Sequence, residues 1–490
     1  MRLKGRRRKP ERGVSRGRSS RRSTVDEGPN ERESETPVTL EGARHQKLTK
    51  VGPTTESRGE TPRVGRGGEA SAVGRRNERS GSDRLMELVV ARGNMQAAWK
   101  RVKGNAGSPG VDGMTVEDAP AFLKVQWPTI REALLEGVYE PRPVLRRSIP
   151  KSGGGVRELG IPTVLDRMIQ QAILQVLQPM VDPTFSDASY GFRSGRRAHD
   201  AVRRAQRYVQ DGRTVVVDVD LERFFDRVNH DVLMAKLAAR IADKRLLRLI
   251  RRYLEAGVMV NGVAIERHEG TPQGGPLSPL LANVLLDEVD KELEKRGHAF
   301  VRYADDCNVY VRSRRAGERV MQTLTRLYAR LRLRINEAKS AVAQARERKF
   351  LGFSFWGAGK RRVAPKAIAT MKDRVRQITA RNGGRSLPSV VSELRGYLIG
   401  WKAYFRLAET PGIFADLDKW IRHRLRTLQL KQWKRGTTMY RELRRLGAPE
   451  AVARAVAANS RHWTRNARMH LHIALPIAYF DALGVPRLAA

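Results

Sequence analysis

The most constraining feature of this chain is a pair of adjacent aspartates, Asp305 and Asp306, between two short β-rich runs. The runs Ala299–Arg302 and Cys307–Val311 predict a hairpin whose tip carries both carboxylates. Neighbouring carboxylates repel each other, so a bound cation would stabilise this arrangement. A divalent metal is the natural candidate, although a solvated turn is the commoner setting for an Asp-Asp pair.

Asp220 is the candidate for a third carboxylate. It follows the apolar run Thr214–Val219, which predicts a buried strand, and it precedes Phe224 and Phe225. Two-metal phosphoryl transfer uses carboxylate oxygens that bridge ions about 3.5–4 Å apart, and one of those carboxylates usually comes from a distant strand. Asp218 lies two residues earlier, on the same face of the predicted strand, and is a rival for this role.

The charge of the chain predicts a polyanionic partner. Lys and Arg number 94 against 52 acidic residues, which gives a formal net charge of +42. Nucleic acid is the favoured partner, held by phosphate contacts that weaken with salt. No apolar run approaches the roughly 18 residues that span a bilayer, so no membrane partner is predicted. The single cysteine, Cys307, excludes an internal disulfide framework and a Cys-ligated zinc module within this sequence.

Composition divides the chain into three parts. Residues 1–82 are rich in Arg, Gly, Ser, Glu and Pro and predict a disordered basic N-terminal tail, either an RNA-binding arm or a solvated leader. Residues 83–360 mix helical periods with short β-rich runs, which predicts an α/β fold. Residues 361–490 predict amphipathic helices that carry Arg, Lys and Trp. The predicted fold class is therefore α/β plus α.

Eight segments, in this order, resemble the group II intron-encoded reverse transcriptases and maturases, a bacterial retron-type RNA-directed DNA polymerase family. The segments are Arg147–Arg167, Ser189–Val202, Val215–His230, Gly270–Asn283, Arg302–Asp306, Leu333–Ser340, Lys349–Phe353 and Leu394–Phe405. The resemblance implies a right-hand polymerase, with fingers and palm at residues 83–360. A helical thumb and maturase-specific region would follow at residues 361–490.

The resemblance also implies a catalytic site. Asp220, Asp305 and Asp306 match the family's catalytic triad, which would bind two Mg²⁺ ions, with Asp306 often the more peripheral ligand. The family motif favours Asp220 over Asp218 because an aromatic residue, Phe225, follows five positions later. In the family that aromatic lies under the sugar of the incoming nucleotide and selects deoxynucleotides. An ordinary core phenylalanine remains the alternative for Phe225.

Four further residues match family positions that contact the nucleotide substrate. Lys151 and Arg157 flank the glycine run Gly153–Gly155 and would close over the triphosphate. Gln273 matches the loop beside the nascent base pair, with a plain tight turn as the alternative. Lys339 matches a lysine near the pyrophosphate, where a cation would stabilise the leaving group.

The remaining site residues would contact RNA. Arg193 and Arg197 match a segment that supports the active site or the template, with a purely structural role as the equal alternative. The C-terminal cations would grip the folded intron RNA while most of the neighbouring aromatic rings form a small core. These cations are Lys402, Arg422, Arg424, Arg426 and Lys431.

The resemblance implies partners as well: a group II intron RNA, a DNA target and primer strand, dNTPs and, as a further possibility, a second copy in a homodimer. It implies a cytoplasmic bacterial protein that assists splicing and intron mobility. The sequence ends at Ala490 without the Cys-containing HNH endonuclease of many relatives, so second-strand cleavage is not expected. Priming would then use another 3′ end, such as a nascent strand at a replication fork.

Two alternatives remain open at this point. The first is a stand-alone reverse transcriptase in DNA repair or phage defence, against which the maturase-like segment Leu394–Phe405 argues. The second is a non-enzymatic splicing cofactor, against which the intact Asp220, Asp305 and Asp306 argue.

Overall fold

The structure is a computed structural model that describes residues 84–150, 155–260, 263–266, 268–469 and 471–489. The predicted tail at residues 1–82 and the candidate Lys151 lie outside the described residues. Within the described ranges, helices and short strands alternate up to residue 363 and only helices follow. None of the described helices is long and apolar enough to cross a membrane.

The α/β part contains ten strands and nine helices within the described residues. Its strands are β1 (Val144–Pro150), β2 (Val156–Ile161), β3 (Val215–Val219), β4 (Val258–Val260), β5 (Val263–Ile265), β6 (Ala299–Tyr303), β7 (Asp306–Val311), β8 (Ala341–Gln344), β9 (Phe353–Trp356) and β10 (Lys360–Val363). Its helices are α1 (Leu85–Val90), α2 (Arg92–Asn105), α3 (Ala119–Glu136), α4 (Val164–Val181), α5 (Ala198–Gln210), α6 (His230–Ala238), α7 (Lys244–Glu255), α8 (Ser278–Lys295) and α9 (Arg314–Arg330).

The central sheet has the strand order β6-β7-β3-β8, and all of its pairs are antiparallel. Side chains alternate between its faces along β3. Val215, Val217 and Val219 are buried in one hydrophobic cluster, together with apolar residues of α8 and α9. Val216 belongs instead to a second cluster, which contains residues of α5 and of the C-terminal helices. The central sheet is therefore covered on both faces, and its strand ends are left for the site.

A second sheet has the order β2-β1-β4-β5. Its β1–β2 hairpin runs from Leu145↔Ile161 to Pro150↔Val156, and β4 pairs with β1 in parallel. The strands of the β1–β2 hairpin were not predicted because they lack a period-two apolar pattern: β1 reads VLRRSIP, and most of its residues are exposed or half-buried.

The C-terminal part is helical. Its helices are α10 (Pro365–Ile378), α11 (Leu387–Phe405), α12 (Pro411–Trp433), α13 (Gly436–Arg445), α14 (Glu450–Ala458), α15 (Trp463–Met469), α16 (Leu471–Ala474) and α17 (Ile477–Ala482). Trp401, Phe405 and Phe414 are buried in its core, as expected for most of the aromatic rings. The boundary expected between residues 360 and 361 falls within β10.

Two local predictions differ from the structure. The apolar period over His230–Leu254 predicts one helix, but α6 and α7 are separate because Asp243 caps a new helix. Its carboxylate accepts hydrogen bonds from the amides of Arg245 at 3.0 Å and Leu246 at 3.3 Å. The expected strand at Lys349–Phe353 is mostly a turn, in which Leu351 has φ +50°.

Candidate active site

The β6–β7 hairpin presents the Asp-Asp pair at its tip. Tyr303 pairs with Asp306, so Ala304 and Asp305 form the turn, with Ala304 in the left-handed region at φ +58°. Gly191 packs directly on this turn, and a Cβ at Gly191 would overlap the backbone nitrogen of Ala304. The hairpin predicted from the sequence is therefore present, and the neighbouring backbone approaches closely enough to require glycine.

The sheet register brings Asp220 to the same strand end. Val219 pairs with Cys307 and Asp218 pairs with Asn308, so the next position aligns Asp220 with Asp306. Opposite residues of an antiparallel pair share one face. Asp218, Asp220 and Asp306 consequently lie on the face opposite to that of Val219 and Cys307. The register thus places Asp218 and Asp220 at the same end of the central sheet as Asp306, which is remote from them in sequence.

The carboxylates of this site repel one another. Desolvation and then the charges of Asp305, Asp218 and Asp220 raise the pKa of Asp306 to about 7, although Asp306 as a residue is exposed. Desolvation, with a contribution from Asp220, also raises the pKa of Asp305. The cluster therefore carries more negative charge than its surroundings neutralise, as at sites that bind divalent cations.

The donor set suits a hard cation such as Mg²⁺, which prefers carboxylate oxygens. Asp220 Oδ2 is buried, and its recorded contact among the described residues is an ion pair with the exposed side chain of Lys339. Within the same residues no group of three or more His, Cys, Asp or Glu side chains is close enough to form a ready-made metal cluster. The residue types and their shared strand end fit a divalent metal.

Two cations already contact the acidic strand end. Arg348 Nη2 lies 2.7 Å from Asp218 Oδ2, which neutralises Asp218 within the sheet. Lys339 Nζ lies 3.1 Å from Asp220 Oδ2, so Lys339 contacts a candidate metal ligand directly. The carboxylate of Asp218 is therefore paired with Arg348 within the sheet, whereas that of Asp220 is paired with the exposed side chain of Lys339. Asp220 is the better candidate for a metal ligand. Arg348 was not predicted as a site residue, because no motif in the sequence distinguishes it from the other arginines.

The structure gives local contacts for Arg157, Phe225 and Gln273. Arg157 is exposed on β2, and its positive charge partly offsets the rise that desolvation causes in the pKa of Asp305. Phe225 is half-buried, with its ring 5.1 Å from that of Phe224 in an edge-on contact, and its carbonyl accepts the Thr271 amide at 2.7 Å. The Gln273 carbonyl accepts the Gly160 amide at 2.9 Å and so joins its loop to β2.

A buried arginine supports the turn and was missed as a site residue. Arg302 is 0% exposed and precedes the hairpin tip. Its guanidinium donates to both carboxylate oxygens of Asp290, to Ser189 Oγ at 2.8 Å and to the Ala304 carbonyl at 2.8 Å. It also donates to Asn283 Oδ1 at 2.9 Å, and Asn283 in turn donates to the Gly191 carbonyl. Arg302 therefore holds the Ala304–Asp305 turn against α8 and the Ser189–Gly191 segment.

Three cations expected to face RNA are buried. Arg422 is 2% exposed and pairs with Asp418 at 3.1 Å and Asp481 at 2.9 Å. Arg426 is 8% exposed and donates to the Leu475 carbonyl at 2.9 Å. Arg193 is 7% exposed, and it donates to Asp182 and to nearby backbone carbonyls. Each guanidinium is used inside the fold, which argues against RNA contact by Arg422 and Arg426 and favours for Arg193 the structural role given as its alternative.

The other expected RNA contacts reach the surface. Arg197 is exposed at the start of α5. Lys402 is half-buried and donates to the Arg487 carbonyl at 2.8 Å. Arg424 and Lys431 are half-buried on α12 and line a cavity beside Trp463.

Two protein-family models match this chain. The family described as reverse transcriptase (RNA-dependent DNA polymerase) matches residues 149–355, and the group II intron, maturase-specific domain matches residues 368–447. Protein YkfC of Escherichia coli (strain K12) is 32% identical over 315 residues, which are 56% of this chain and 82% of YkfC. The group II intron-encoded protein LtrA of Lactococcus lactis subsp. cremoris is 36% identical over 209 residues, which are 42% of this chain and 35% of LtrA.

Among solved structures, the partial Cas6-RT-Cas1--Cas2 complex matches with a TM-score of 0.34 and 27% identity over 50% of this chain and 42% of that chain. The alignment with LtrA spans about a third of that relative. The expected fold class, a reverse transcriptase fold with a helical C-terminal region, is confirmed by the family matches. The chain therefore belongs to the group II intron-encoded reverse transcriptases that carry a maturase-specific domain.

Proposed function

We propose that this protein is an RNA-directed DNA polymerase that also binds a group II intron RNA and assists its splicing and mobility. The convergence of Asp220, Asp305 and Asp306 at one strand end carries the proposal, since this is the acidic site that the polymerase chemistry needs. The maturase-specific match at residues 368–447 supports the RNA-binding part. Its substrates would be dNTPs, an RNA template and a DNA primer strand, and its place the bacterial cytoplasm.

Asp220, Asp305 and Asp306 would hold two Mg²⁺ ions. When bound, the ions activate the primer 3′-hydroxyl and neutralise the charge that develops on the leaving pyrophosphate. Lys339 would leave Asp220 as metal binds and turn its ammonium group towards the phosphates, which reconciles its present ion pair with the expected role. Arg157, whose charge reaches Asp305, would contact the triphosphate.

Primer extension on an RNA template tests this function. The purified chain with a primed RNA, dNTPs and Mg²⁺ should extend the primer, and a chelator should stop extension because the carboxylates alone cannot neutralise the leaving group. Two bound ions predict a rate that rises more steeply than first order at low Mg²⁺. A first-order dependence that saturates at one ion would contradict the two-ion site, and no extension at any Mg²⁺ concentration would contradict the polymerase.

We expect the ring of Phe225 to select deoxyribonucleotides over ribonucleotides. Phe225→Ala removes the ring that would meet a ribose 2′-hydroxyl, so the preference for dNTP over NTP should fall by about tenfold or more, as expected for lost steric exclusion. Single-nucleotide incorporation with dNTP and NTP pairs measures this ratio. Phe224→Ala is the matched control: Phe224 is 3% exposed, so its loss should lower stability and leave the ratio unchanged. An unchanged ratio in Phe225→Ala would make Phe225 an ordinary packing residue.

A homodimer is a further part of the proposal, and light scattering of the purified chain tests it.

The intron RNA partner is tested by splicing of a group II intron transcript with and without the protein. The stand-alone alternative would predict equal splicing in both samples.

A further inference from the structure

A small cavity lies in the helical region, apart from the acidic strand end. It forms where the loop after α10 meets α12 and the start of α15, and it encloses about 440 Å³. Its lining residues are Ala380, Arg381, Asn382, Arg424, Lys431 and Trp463. We call it the donor pocket.

The polar side chains of the donor pocket offer hydrogen-bond donors. The side chains of arginine, lysine and tryptophan have hydrogen-bond donors and no acceptors. Asn382 is the one side chain with an acceptor, and its Oδ1 already accepts from Lys431 Nζ at 2.7 Å, which leaves the amide NH₂. No carboxylate is among the described residues that line the pocket. A ligand that fits must therefore be rich in acceptors and negatively charged.

Two observations indicate that the pocket lacks a partner. Trp463 Nε1 is buried and has no acceptor among the described residues, which is an unfavourable state for an indole N–H. Among the residues that the structure describes, the recorded hydrogen bonds of Arg424 go to neutral groups, such as Thr379 Oγ1 at 2.8 Å. Desolvation, and then the positive charges of Arg376 and Arg381, lower the pKa of Arg424. Both groups would be stabilised by one anion with several oxygens.

We infer that the donor pocket binds a backbone phosphate of an RNA strand. A phosphate has enough oxygens to accept from the guanidinium, ammonium and indole groups that the lining residues carry. Free phosphate shares this chemistry, but RNA is favoured because the pocket lies at residues 380–463, and the maturase-specific match covers residues 368–447. The inference rests on the proposed RNA-binding function and names one site at which that binding occurs.

Salt-dependent binding of a labelled RNA hairpin provides the first test. Lys431→Gln should weaken binding by about three- to tenfold and reduce the slope of log K against log salt by about 0.7–0.9, the value of one phosphate contact. Arg441→Gln is the control: Arg441 is exposed on α13, outside the donor pocket, and the change removes the same charge. The slope should stay at the wild-type value in this control. Equal slopes in wild type and Lys431→Gln would overturn the inference.

The indole N–H of Trp463 provides the second test. Trp463→Phe keeps an aromatic ring but removes the donor, so RNA binding should weaken about threefold with no change in the salt slope. The same variant identifies the Trp463 resonance among the seven tryptophans of ¹⁵N-labelled protein. That resonance should shift on addition of the RNA hairpin or of inorganic phosphate, and not with sodium chloride at equal ionic strength.

The outcomes separate the two proposals. A shift with inorganic phosphate but not with RNA would overturn the assignment to an RNA strand, and no shift with either would overturn the donor pocket as a phosphate site. Wild-type protein that shows the RNA shift but no primer extension would refute only the polymerase. Protein that extends primers and shows no shift would refute only the pocket. Circular dichroism of each variant confirms that it is folded.

Discussion

Asp305→Ala should lower primer extension on an RNA template by about a thousandfold or more, while the protein stays folded and still binds RNA. The expected loss is large because, in the proposed site, Asp305 would hold a metal ion that stabilises charge on the reacting phosphate in the transition state. Stability should not fall, since the pKa of Asp305 is raised by desolvation and by Asp220, so the carboxylate is held in an unfavourable setting. Single-turnover extension at saturating dNTP measures the effect.

Matched aspartate variants show whether the effect belongs to the site. Asp211→Ala removes the same charge before β3, beyond the opposite end of that strand, and should extend primers at the wild-type rate. Asp218→Asn loosens the pair with Arg348 and should cost about tenfold or less, whereas Asp220→Asn should be as severe as Asp305→Ala. If Asp305→Ala extends like wild type, or if Asp218→Asn is the severe variant, the assignment of the metal ligands is wrong.

The acidic site was predictable because its signals are local. The valine run that ends at Asp220 and the hairpin at Asp305 each show a strand followed by a carboxylate, and antiparallel pairing can bring two such ends together. The helical C-terminal region was predictable for the same reason, since amphipathic periods and buried rings such as Trp401 leave a pattern in the sequence.

The roles of individual cations were not predictable. Arg422 and Arg424 are two residues apart on α12, yet Arg422 is buried between Asp418 and Asp481 while Arg424 reaches the donor pocket. Asp481, which pairs with Arg422, is 59 residues away from it in sequence, so no local sequence pattern predicts this ion pair. In a chain with 94 basic residues, only tertiary structure shows which guanidinium groups are neutralised inside the fold.

Arg302 is the clearest case of a residue whose motif was recognised but whose role was not. It belongs to the segment Arg302–Asp306, yet the sequence cannot show that its side chain turns inward to Asp290 on α8. The pair is fully buried on both sides. Since removal of one partner leaves an uncompensated charge in a low-dielectric interior, Arg302 couples the stability of the fold to the position of the Ala304–Asp305 turn.

Arg302→Met should destabilise the protein by about 3–5 kcal/mol, as expected for a broken buried ion pair, measured by denaturant unfolding. Arg302→Lys distinguishes an effect on the position of the Ala304–Asp305 turn from an effect on stability. Lysine keeps a positive charge near Asp290 but lacks the guanidinium nitrogens that donate to Ser189 and to the Ala304 carbonyl. This variant should lose about a hundredfold in kcat with little change in the KM for dNTP, because the turn would be misplaced. Arg296→Met, which removes an exposed pair with Glu292, should change neither quantity. A folded Arg302→Lys variant with wild-type kcat would show that the bond to the Ala304 carbonyl does not position the aspartates.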